Sequence, residues 1–339
     1  MAADLPPPSA LRAAARDLFS RGFAVIRLGS ASSGALAVER ARGSVGSILL
    51  CAPEGEGPTS AARRLAGVAL KACPSAVTDR LEGLHETESN PGRVNFFYRG
   101  QPGLAREPRA SPARDLERAR ADAASAALLD GAMRDQHDAF LAGRALAAAL
   151  AFEVGELAEA GLGPQLRGFA ELGADPGAER VWSSLAVQAY RQSQPAPAAG
   201  GDEPRGAAPR YVVLPHCDCT LITLVLPPQG DRSLLVRDLA SHELVCPLDG
   251  VPSDDSTPLI VFGGHLIAAL PPLYDRGYSL VTEHAVVNDV APCGRVSLVY
   301  RCIPGGDCDL GLGRSDELKK CDRLVHDFRS SHESVTYDK

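Results

Sequence analysis

The densest run of extended-structure signals in the 339-residue chain lies between residues 210 and 303, and it limits the fold more than any other feature. Apolar and β-branched stretches follow one another closely there, separated by turn signals such as Pro227-Pro228 and Asp249-Gly250. Many short strands at this spacing are typical of a sandwich or a closed barrel. We predict strands at 210–214, 219–226, 233–238, 243–246, 258–262, 278–287 and 295–303.

Two chemically active side chains, His216 and Asp218, stand two residues apart within these stretches. Side chains at positions i and i+2 of a strand leave the same face, so this imidazole and carboxylate can reach one metal ion. A His-x-Asp pair alone is a weak signal, because chance often produces it. His284 is the best candidate for a third ligand, and His265 is its competitor. Two histidines and one carboxylate on one face of a metal form the facial triad of non-haem Fe(II) oxygenases.

Arg295 and Ser297, a short distance beyond His284, form a second pair in an extended stretch. They too share one face of a strand. A guanidinium beside a hydroxyl can hold a carboxylate through parallel charge-assisted hydrogen bonds. The order of the motifs (metal-binding pair, distant histidine, carboxylate anchor) is more specific than any one of them.

These residues resemble the isopenicillin-N-synthase-like family of Fe(II)/2-oxoglutarate-dependent dioxygenases. The similarity covers residues 182–304 and is carried by His216-x-Asp218, Thr220–Leu224, His284 and Arg295-x-Ser297. Ser184–Tyr190 resembles the strand before that family's metal site, and Val236–Asp238 resembles the short strand after the first ligands.

The resemblance implies an α+β protein with a mainly β core, built as a double-stranded β-helix (jelly-roll) barrel with flanking helices. An N-terminal helical and mixed region would occupy residues 1–180 and pack on the barrel. The jelly-roll dioxygenase domain would span residues 181–305, and a tail with one helix would occupy residues 306–339.

The same resemblance implies an oxidoreductase in which His216, Asp218 and His284 bind Fe(II). Arg295 and Ser297 would hold the far carboxylate of the cosubstrate 2-oxoglutarate. Tyr190 would also reach this cosubstrate. The expected reaction uses O2 to oxidise an unactivated C–H bond of a small organic substrate, by hydroxylation, desaturation or ring closure. 2-Oxoglutarate would be decarboxylated to succinate and CO2, and ascorbate is a candidate stimulant.

Departures from the family pattern keep two other functions open. Gly264 stands where the family often has aspartate, Ala285 stands where it often has arginine, and the spacing between Asp218 and His284 is longer than usual. Arg-x-Ser also occurs in relatives that bind a substrate carboxylate and use no 2-oxoglutarate. The alternatives are therefore a same-fold Fe(II) oxidase, in which Arg295 binds the substrate, and a non-catalytic binding module.

Local patterns predict the helices. Residues 9–21 are typical of a helix with Ser9 as its N-cap, ended by Gly22 and followed by a short strand. Residues 112–129 and 132–160 predict two further helices, of which the second is rich in alanine and leucine.

Three short segments allow two interpretations each. The aromatic residues 96–98 suit either a substrate pocket or the core. The Pro- and Gly-rich loop 192–210 suits either a lid or a surface insertion. Cys217 and Cys219 interleave with the metal-binding pair, but a strand would direct both thiols to its opposite face. We therefore expect buried structural thiols there and not zinc ligands.

Composition excludes some classes of partner. The 35 basic and 42 acidic residues give a net charge of −7, so no general attraction to nucleic acid or anionic membranes is expected. We see no secretory signal and no apolar run of the roughly 20 residues that span a bilayer. Nine cysteines without a repeated spacing predict reduced thiols and a cytoplasmic location. A small-molecule substrate is the only partner implied, and nothing in the sequence indicates the oligomeric state.

Overall fold

A computed structural model describes residues 4–49, 83–86, 93–98, 123–175, 183–190 and 211–304, apart from short gaps at 229, 253, 269, 271–272, 274–279 and 288–294. The predicted loop 192–210, the helix of the C-terminal tail and residues 112–122 of a predicted helix lie outside these residues. In the described part, none of the helices is long and apolar enough to cross a membrane.

The N-terminal helix–strand unit forms as predicted. Helix α1 (Pro8–Arg21) ends at Gly22, and strand β1 (Phe23–Leu28) follows at once. Gly22 has a φ of 81°, a left-handed conformation that glycine adopts without a steric penalty at the end of a helix.

The prediction of Ser9 as the N-cap is wrong. Pro7 is the N-cap residue, and Pro8 is the first residue of the helix. Proline suits the first turn because its fixed φ is helical and the N–H group that it lacks would have no helical partner there.

Three further helices are α2 (Ser33–Leu49), α3 (Ala123–Ala158) and α4 (Gly163–Leu172). The predicted break between residues 129 and 132 is absent, because α3 runs through Gly131 without interruption. One glycine inside a helix costs only about 1 kcal/mol relative to alanine. The packing of a helix of 36 residues offsets this cost.

Helix α3 packs on one face of the larger β-sheet. Phe140 of α3 contacts Tyr98 and Tyr300, with ring centroids 5.7 and 5.5 Å apart. Tyr98 is fully buried in this contact, so it belongs to the core. The side chains of the two preceding aromatic residues lie outside the described part of the chain.

The strands of the described residues form two antiparallel sheets. The seven-stranded sheet has the order β1-β9-β6-β11-β4-β3-β2, and the four-stranded sheet has the order β5-β10-β7-β8. The bounds of the remaining strands are β2 (Gly83–Glu86), β3 (Arg93–Tyr98), β4 (Ser184–Tyr190), β5 (Tyr211–His216), β6 (Ile222–Leu226), β7 (Leu234–Arg237), β8 (Leu244–Val245), β9 (Thr257–Gly263), β10 (His284–Val287) and β11 (Arg295–Cys302). A short helix, α5 (His265–Ala268), follows β9.

From β4 onward the chain passes repeatedly between the two sheets. Strands β4, β6, β9 and β11 belong to the larger sheet, and β5, β7, β8 and β10 belong to the smaller one. Buried side chains of both sheets pack in one cluster, among them Val225 and Phe262 from the larger sheet and Val236 and Val286 from the smaller. The mainly β core with flanking helices is therefore as predicted.

The turn between α1 and β1 is joined to the segment that leads into β10. The hydroxyl of Thr282 donates a hydrogen bond to the backbone oxygen of Gly22 at 2.6 Å. Arg21 also binds Asp238, at the end of β7, with a nitrogen–oxygen distance of 3.1 Å. The N-terminal unit is thus bonded to the small sheet close to His284, the first residue of β10.

Candidate metal centre and carboxylate anchor

His216, Asp218 and His284 are brought together at one end of the small sheet. His216 is the last residue of β5 and lies directly opposite His284, the first residue of β10. Nε2 of His216 lies 3.8 Å from Oδ1 of Asp218, and Nε2 of His284 lies 3.9 Å from Oδ2. One ligand atom from each residue lies within 4.8 Å of the other two. This spacing suits a single metal ion bound by all three side chains.

Backbone carbonyl groups fix the orientation of both imidazole rings. Nδ1 of His216 lies 2.9 Å from the oxygen of Leu214, and Nδ1 of His284 lies 3.5 Å from the oxygen of Thr282. An Nδ1–H that donates to a carbonyl leaves Nε2 free of its proton. Nε2 is the atom nearest Asp218 in both rings, and Nε2 without its proton is the atom that would bind a metal.

Asp218 is buried and held in its anionic form. The hydroxyl of Thr223 donates to Oδ2 at 2.8 Å, and Nε of Arg301 lies 3.9 Å from Oδ1. Burial raises the pKa of Asp218. His284, the nearby arginine and the Thr223 hydrogen bond outweigh burial, so the pKa stays well below its usual range. The carboxylate is therefore ready to bind a cation at neutral pH.

His284 is neutral at neutral pH. Burial lowers its pKa to about 4, against the opposite effect of Asp218. The ring of Phe262 packs against the imidazole with centroids 4.4 Å apart. An unprotonated imidazole beside an ionised carboxylate is the state that metal binding requires.

A continuous strand does not bring His216 and Asp218 together, so that part of the sequence prediction is wrong. Strand β5 ends at His216 because its partner β10 begins at the opposite residue and offers no backbone groups beyond it. Residues 217–221 then cross from the small sheet to the large one, where β6 begins at Ile222. The backbone N–H of His265 donates to the oxygen of Asp218 at 2.9 Å and holds this crossing in place.

Gly264 lies in the turn that packs on the crossing. A Cβ at this position would collide with Oγ1 of Thr220 and with the backbone oxygen of Asp218. Glycine fits there without moving the backbone that carries the carboxylate ligand. In this chain the turn has room for glycine and for no larger residue.

His265 is not part of the metal-binding cluster. The group of metal-ligating side chains found in the described part of the chain consists of His216, Asp218 and His284. His265 is half-buried. Burial lowers its pKa below the usual value, against the smaller opposite effect of Asp218.

The two cysteines of the crossing are not metal ligands. Cys217 and Cys219 are partly exposed, so the expectation of fully buried thiols is wrong, because they lie in the crossing and not in a strand. Burial, followed by Glu283 and Asp218, raises the pKa of Cys217 to about 11. Neither thiol belongs to the group of metal-ligating side chains found in the described part of the chain.

Arg295 and Ser297 share one face of β11, and Tyr190 lies beside them. Nη1 of Arg295 is 3.4 Å from Oγ of Ser297. Tyr190 is opposite Arg295 in the pairing of β4 with β11, and its ring centroid lies 5.1 Å from the guanidinium carbon. All three side chains are buried. Their role toward a cosubstrate stays a prediction.

Two further residues of this region, Asp231 and Gln188, were missed by sequence reasoning. Nε of Arg295 donates to Oδ2 of Asp231 at 2.6 Å. Gln188 lies opposite Ser297, and its Oε1 accepts a hydrogen bond from the hydroxyl of Tyr190 at 3.2 Å. The alternation of β4 could have indicated Gln188, two residues before Tyr190. Asp231 lies in a loop and no motif marks it.

Solved structures with similar folds show the fold to which the chain belongs. Dioxygenase for auxin oxidation 1 from Arabidopsis thaliana, solved with 2-oxoglutarate, matches with a TM-score of 0.53 and 15% identity over 88% of each chain. A full-length protein of Neurospora crassa, solved in complex with alpha-KG, matches with a TM-score of 0.56 and 14% identity over 88% of this chain and 79% of its own. The chain has the fold of the 2-oxoglutarate/Fe(II) oxygenases.

A third structure with this oxygenase fold agrees with the first two. It is a 2OG-Fe(II) oxygenase family protein from Caulobacter crescentus, with a TM-score of 0.54 and 15% identity over 88% of this chain and 83% of its own. The resemblance seen in the sequence is thereby confirmed at the level of the fold. No family model matches the chain, and no curated protein does either.

Proposed function

We propose that the protein is a non-haem Fe(II)- and 2-oxoglutarate-dependent dioxygenase that oxidises an unactivated C–H bond of a small organic molecule. The observation that carries this proposal is the cluster of His216, Asp218 and His284, whose ligand atoms lie within 4.8 Å of one another. Two imidazoles and one carboxylate are the donor set of the non-haem Fe(II) oxygenases, so these three residues would hold Fe(II).

The proposal extends to the architecture. The alternation of β4 to β11 between two facing sheets supports a double-stranded β-helix barrel within residues 181–305. Residues 1–180 would form the helical and mixed region, and the packing of α3 on the large sheet supports this role. Residues 306–339 would form the tail.

The donor set fits Fe(II). Asp218 supplies one buried negative charge, and Thr223 holds its carboxylate in place from Oδ2. The two histidines present Nε2 to the same point, because their Nδ1 atoms face backbone carbonyls. A divalent cation would neutralise a carboxylate that burial otherwise disfavours.

The residues around Arg295 fit a dicarboxylate. Nε2 of Gln188 is buried and has no hydrogen-bond partner among the described residues. Oε1 of this amide accepts the hydrogen bond from Tyr190, so Nε2 can still donate one. Because Gln188 lies opposite Ser297, a ligand oxygen beside Ser297 could accept it. We infer that Arg295, Ser297 and Gln188 bind the C5 carboxylate of 2-oxoglutarate, while the ring of Tyr190 keeps the guanidinium in place.

When metal and keto acid are bound, they supply the oxidising chemistry, with O2 as the oxidant and succinate and CO2 as products of the keto acid. The chain binds and orients both of them. Thr223 positions the carboxylate ligand, and Phe262 packs against His284. The apolar cluster between the sheets, which includes Val236 and Val286, excludes water from the interior.

A small molecule is the proposed class of substrate. Structures of the Neurospora crassa protein contain thymine or 5-formyluracil, and the Arabidopsis thaliana protein is named for auxin oxidation. We propose a substrate of similar size here, since the net charge of −7 offers no general attraction to nucleic acid.

The experiment that tests this function measures succinate and oxygen together. The purified protein is incubated with Fe(II), ascorbate, 2-oxoglutarate and a panel of small molecules in air. We expect succinate in amounts that match the oxygen consumed, and none with the Asp218→Ala variant. An iron-loaded wild-type protein that forms no succinate with any compound would contradict the proposal.

A same-fold Fe(II) oxidase is the second candidate. In this candidate Arg295 would bind a carboxylate of the substrate. Its ion pair with Asp231 would affect that carboxylate in the same way as the carboxylate of a keto acid. An oxidase would consume oxygen with its substrate in the absence of any keto acid. A non-catalytic binding module would consume none under either condition.

A further inference from the structure

We propose that Asp231 is a built-in counter-ion of Arg295 that weakens the binding of a second carboxylate and so sets the affinity for 2-oxoglutarate. This inference rests on the proposed function. It assigns a role to a loop residue that belongs to neither the metal cluster nor the Arg295–Ser297 pair.

Asp231 is fixed in place by its own loop. Its backbone N–H donates to the oxygen of Pro228 at 3.1 Å, and its Oδ1 accepts the N–H of Ser233 at 3.0 Å. Its Oδ2 accepts Nε–H of Arg295 at 2.6 Å. The side chains of Arg295 and Asp231 are only 4% and 8% exposed. This pair is therefore a buried structural feature and not a mobile surface contact.

Asp231 uses one side of the guanidinium and leaves another side available. Asp231 accepts the hydrogen bond from Nε, whereas Nη1 lies 3.4 Å from Oγ of Ser297. A carboxylate that binds between Ser297 and the two Nη atoms would leave Asp231 where it is. In that complex two carboxylates share one positive charge.

The charge balance makes Asp231 unfavourable for dicarboxylate binding. Among the described residues, Arg295 has no ion pair other than the one with Asp231. The pair is neutral, so the C5 carboxylate of 2-oxoglutarate would bring a net negative charge into a buried place. Like charges a few ångströms apart repel strongly where water is excluded.

The Asp231→Asn variant isolates this charge. Asparagine keeps an oxygen that can accept Nε–H of Arg295 or the N–H of Ser233, but it removes the negative charge. The dissociation constant of 2-oxoglutarate is measured by calorimetry with the anaerobic Fe(II)-loaded wild-type and variant proteins. We expect it to fall by at least about tenfold in the variant, an order of magnitude set by the Coulomb energy of two such charges at an effective dielectric constant near 20.

Two controls separate charge from structure. 2-Oxopentanoate has the same chain length but no C5 carboxylate, so its dissociation constant should be the same in both proteins. The Asp249→Asn variant removes a carboxylate that is 59% exposed and paired with Arg232, and it should leave the dissociation constant of 2-oxoglutarate unchanged. If Asp231→Asn fails to fold, Asp231→Ser removes the same charge and keeps a hydroxyl acceptor.

The outcomes distinguish this inference from the proposed function. Equal or weaker binding of 2-oxoglutarate by Asp231→Asn would overturn the role of Asp231 while leaving the dioxygenase function intact. Tight binding by the variant alone, with none by the wild-type protein, would support the role of Asp231 and favour the oxidase. Absence of binding to both iron-loaded proteins would overturn both proposals.

Discussion

At the candidate metal centre, the buried carboxylate of Asp218 faces two imidazoles and a threonine hydroxyl, and Nε of Arg301 lies 3.9 Å from Oδ1. At the proposed carboxylate anchor, Arg295 is in contact with the carboxylate of Asp231 at 2.6 Å. The negative charge of Asp218 would be neutralised by a bound cation. The positive charge of Arg295 is already neutralised by Asp231.

This difference has a consequence for binding. A metal ion would bind Asp218, whose arginine neighbour Arg301 is 3.9 Å away, whereas a keto acid would bind next to Asp231, which is in direct contact with Arg295. We therefore expect the affinity for a metal to fall when any one of its ligands is removed. The affinity for a keto acid should depend on both charges of the Asp231–Arg295 pair. Variants that alter one charge at a time test this difference between the two sites.

The largest effect is expected for Asp218→Ala. The variant loses one of three ligands and the buried negative charge of the site. We expect its affinity for Fe(II) to fall by more than about 100-fold, since even residues that only orient a ligand change metal affinity roughly 10- to 100-fold. Anaerobic calorimetry with Fe(II) measures this. Retention of wild-type affinity would show that the cluster is not the metal site.

Arg295→Gln should have the next largest effect, on stability. It leaves Asp231 buried without its cation, and breaking a buried ion pair costs about 3–5 kcal/mol of unfolding free energy. Urea unfolding of the metal-free protein measures the loss. The double variant Asp231→Asn/Arg295→Gln should regain most of it, because both charges are gone. An Arg295→Gln variant as stable as the wild-type protein would show that Arg295 does not balance a buried charge on Asp231.

The pH dependence of the metal-free protein follows from His284. Its pKa is lowered from 6.5 to about 4, so the unfolded chain takes up a proton between these values and the folded protein does not. The free energy of unfolding should therefore fall as the pH falls from 6.5 toward 4, by at most about 3 kcal/mol, since one pKa unit corresponds to about 1.4 kcal/mol. Urea unfolding in the presence of a chelator at pH 7 and pH 4.5 measures it. The His284→Gln variant should show a weaker pH dependence in this range, and an unchanged dependence would refute the assignment.

The smallest effect is expected for Thr223→Val. The variant keeps the shape of the side chain and removes the hydrogen bond of 2.8 Å to Oδ2 of Asp218. We expect the affinity for Fe(II) to fall roughly tenfold, at the lower end of the effects of residues that orient a ligand. Thr257→Val, on β9, is the matched control with the same substitution away from the metal ligands. Equal affinities of the two variants would show that Thr223 does not position the ligand.

How far the sequence predicts this molecule depends on whether a feature is local. Arg295 and Ser297 share a face because a strand alternates, and that could be predicted from their spacing. The spacing of His216 and Asp218 led to the correct cluster for the wrong reason, since the chain leaves the small sheet between them. That exit depends on where the partner strand begins, which no local pattern shows.

Long-range contacts account for what sequence reasoning missed. Asp231 meets Arg295 through the pairing of distant parts of the chain, and Gly264 is needed because its turn packs on the segment that carries Asp218. The predicted break in α3 failed for a related reason. The packing of a long helix outweighs the weak preference of one glycine.

An anaerobic titration followed by visible absorption shows whether metal and keto acid bind in one site. Fe(II) is added to the purified protein first, and 2-oxoglutarate is added second. We expect a weak charge-transfer band to appear only after the second addition, and to be absent in Asp218→Ala and weakened in Arg295→Gln. An iron-loaded wild-type protein that develops no band at saturating 2-oxoglutarate would contradict binding in one site.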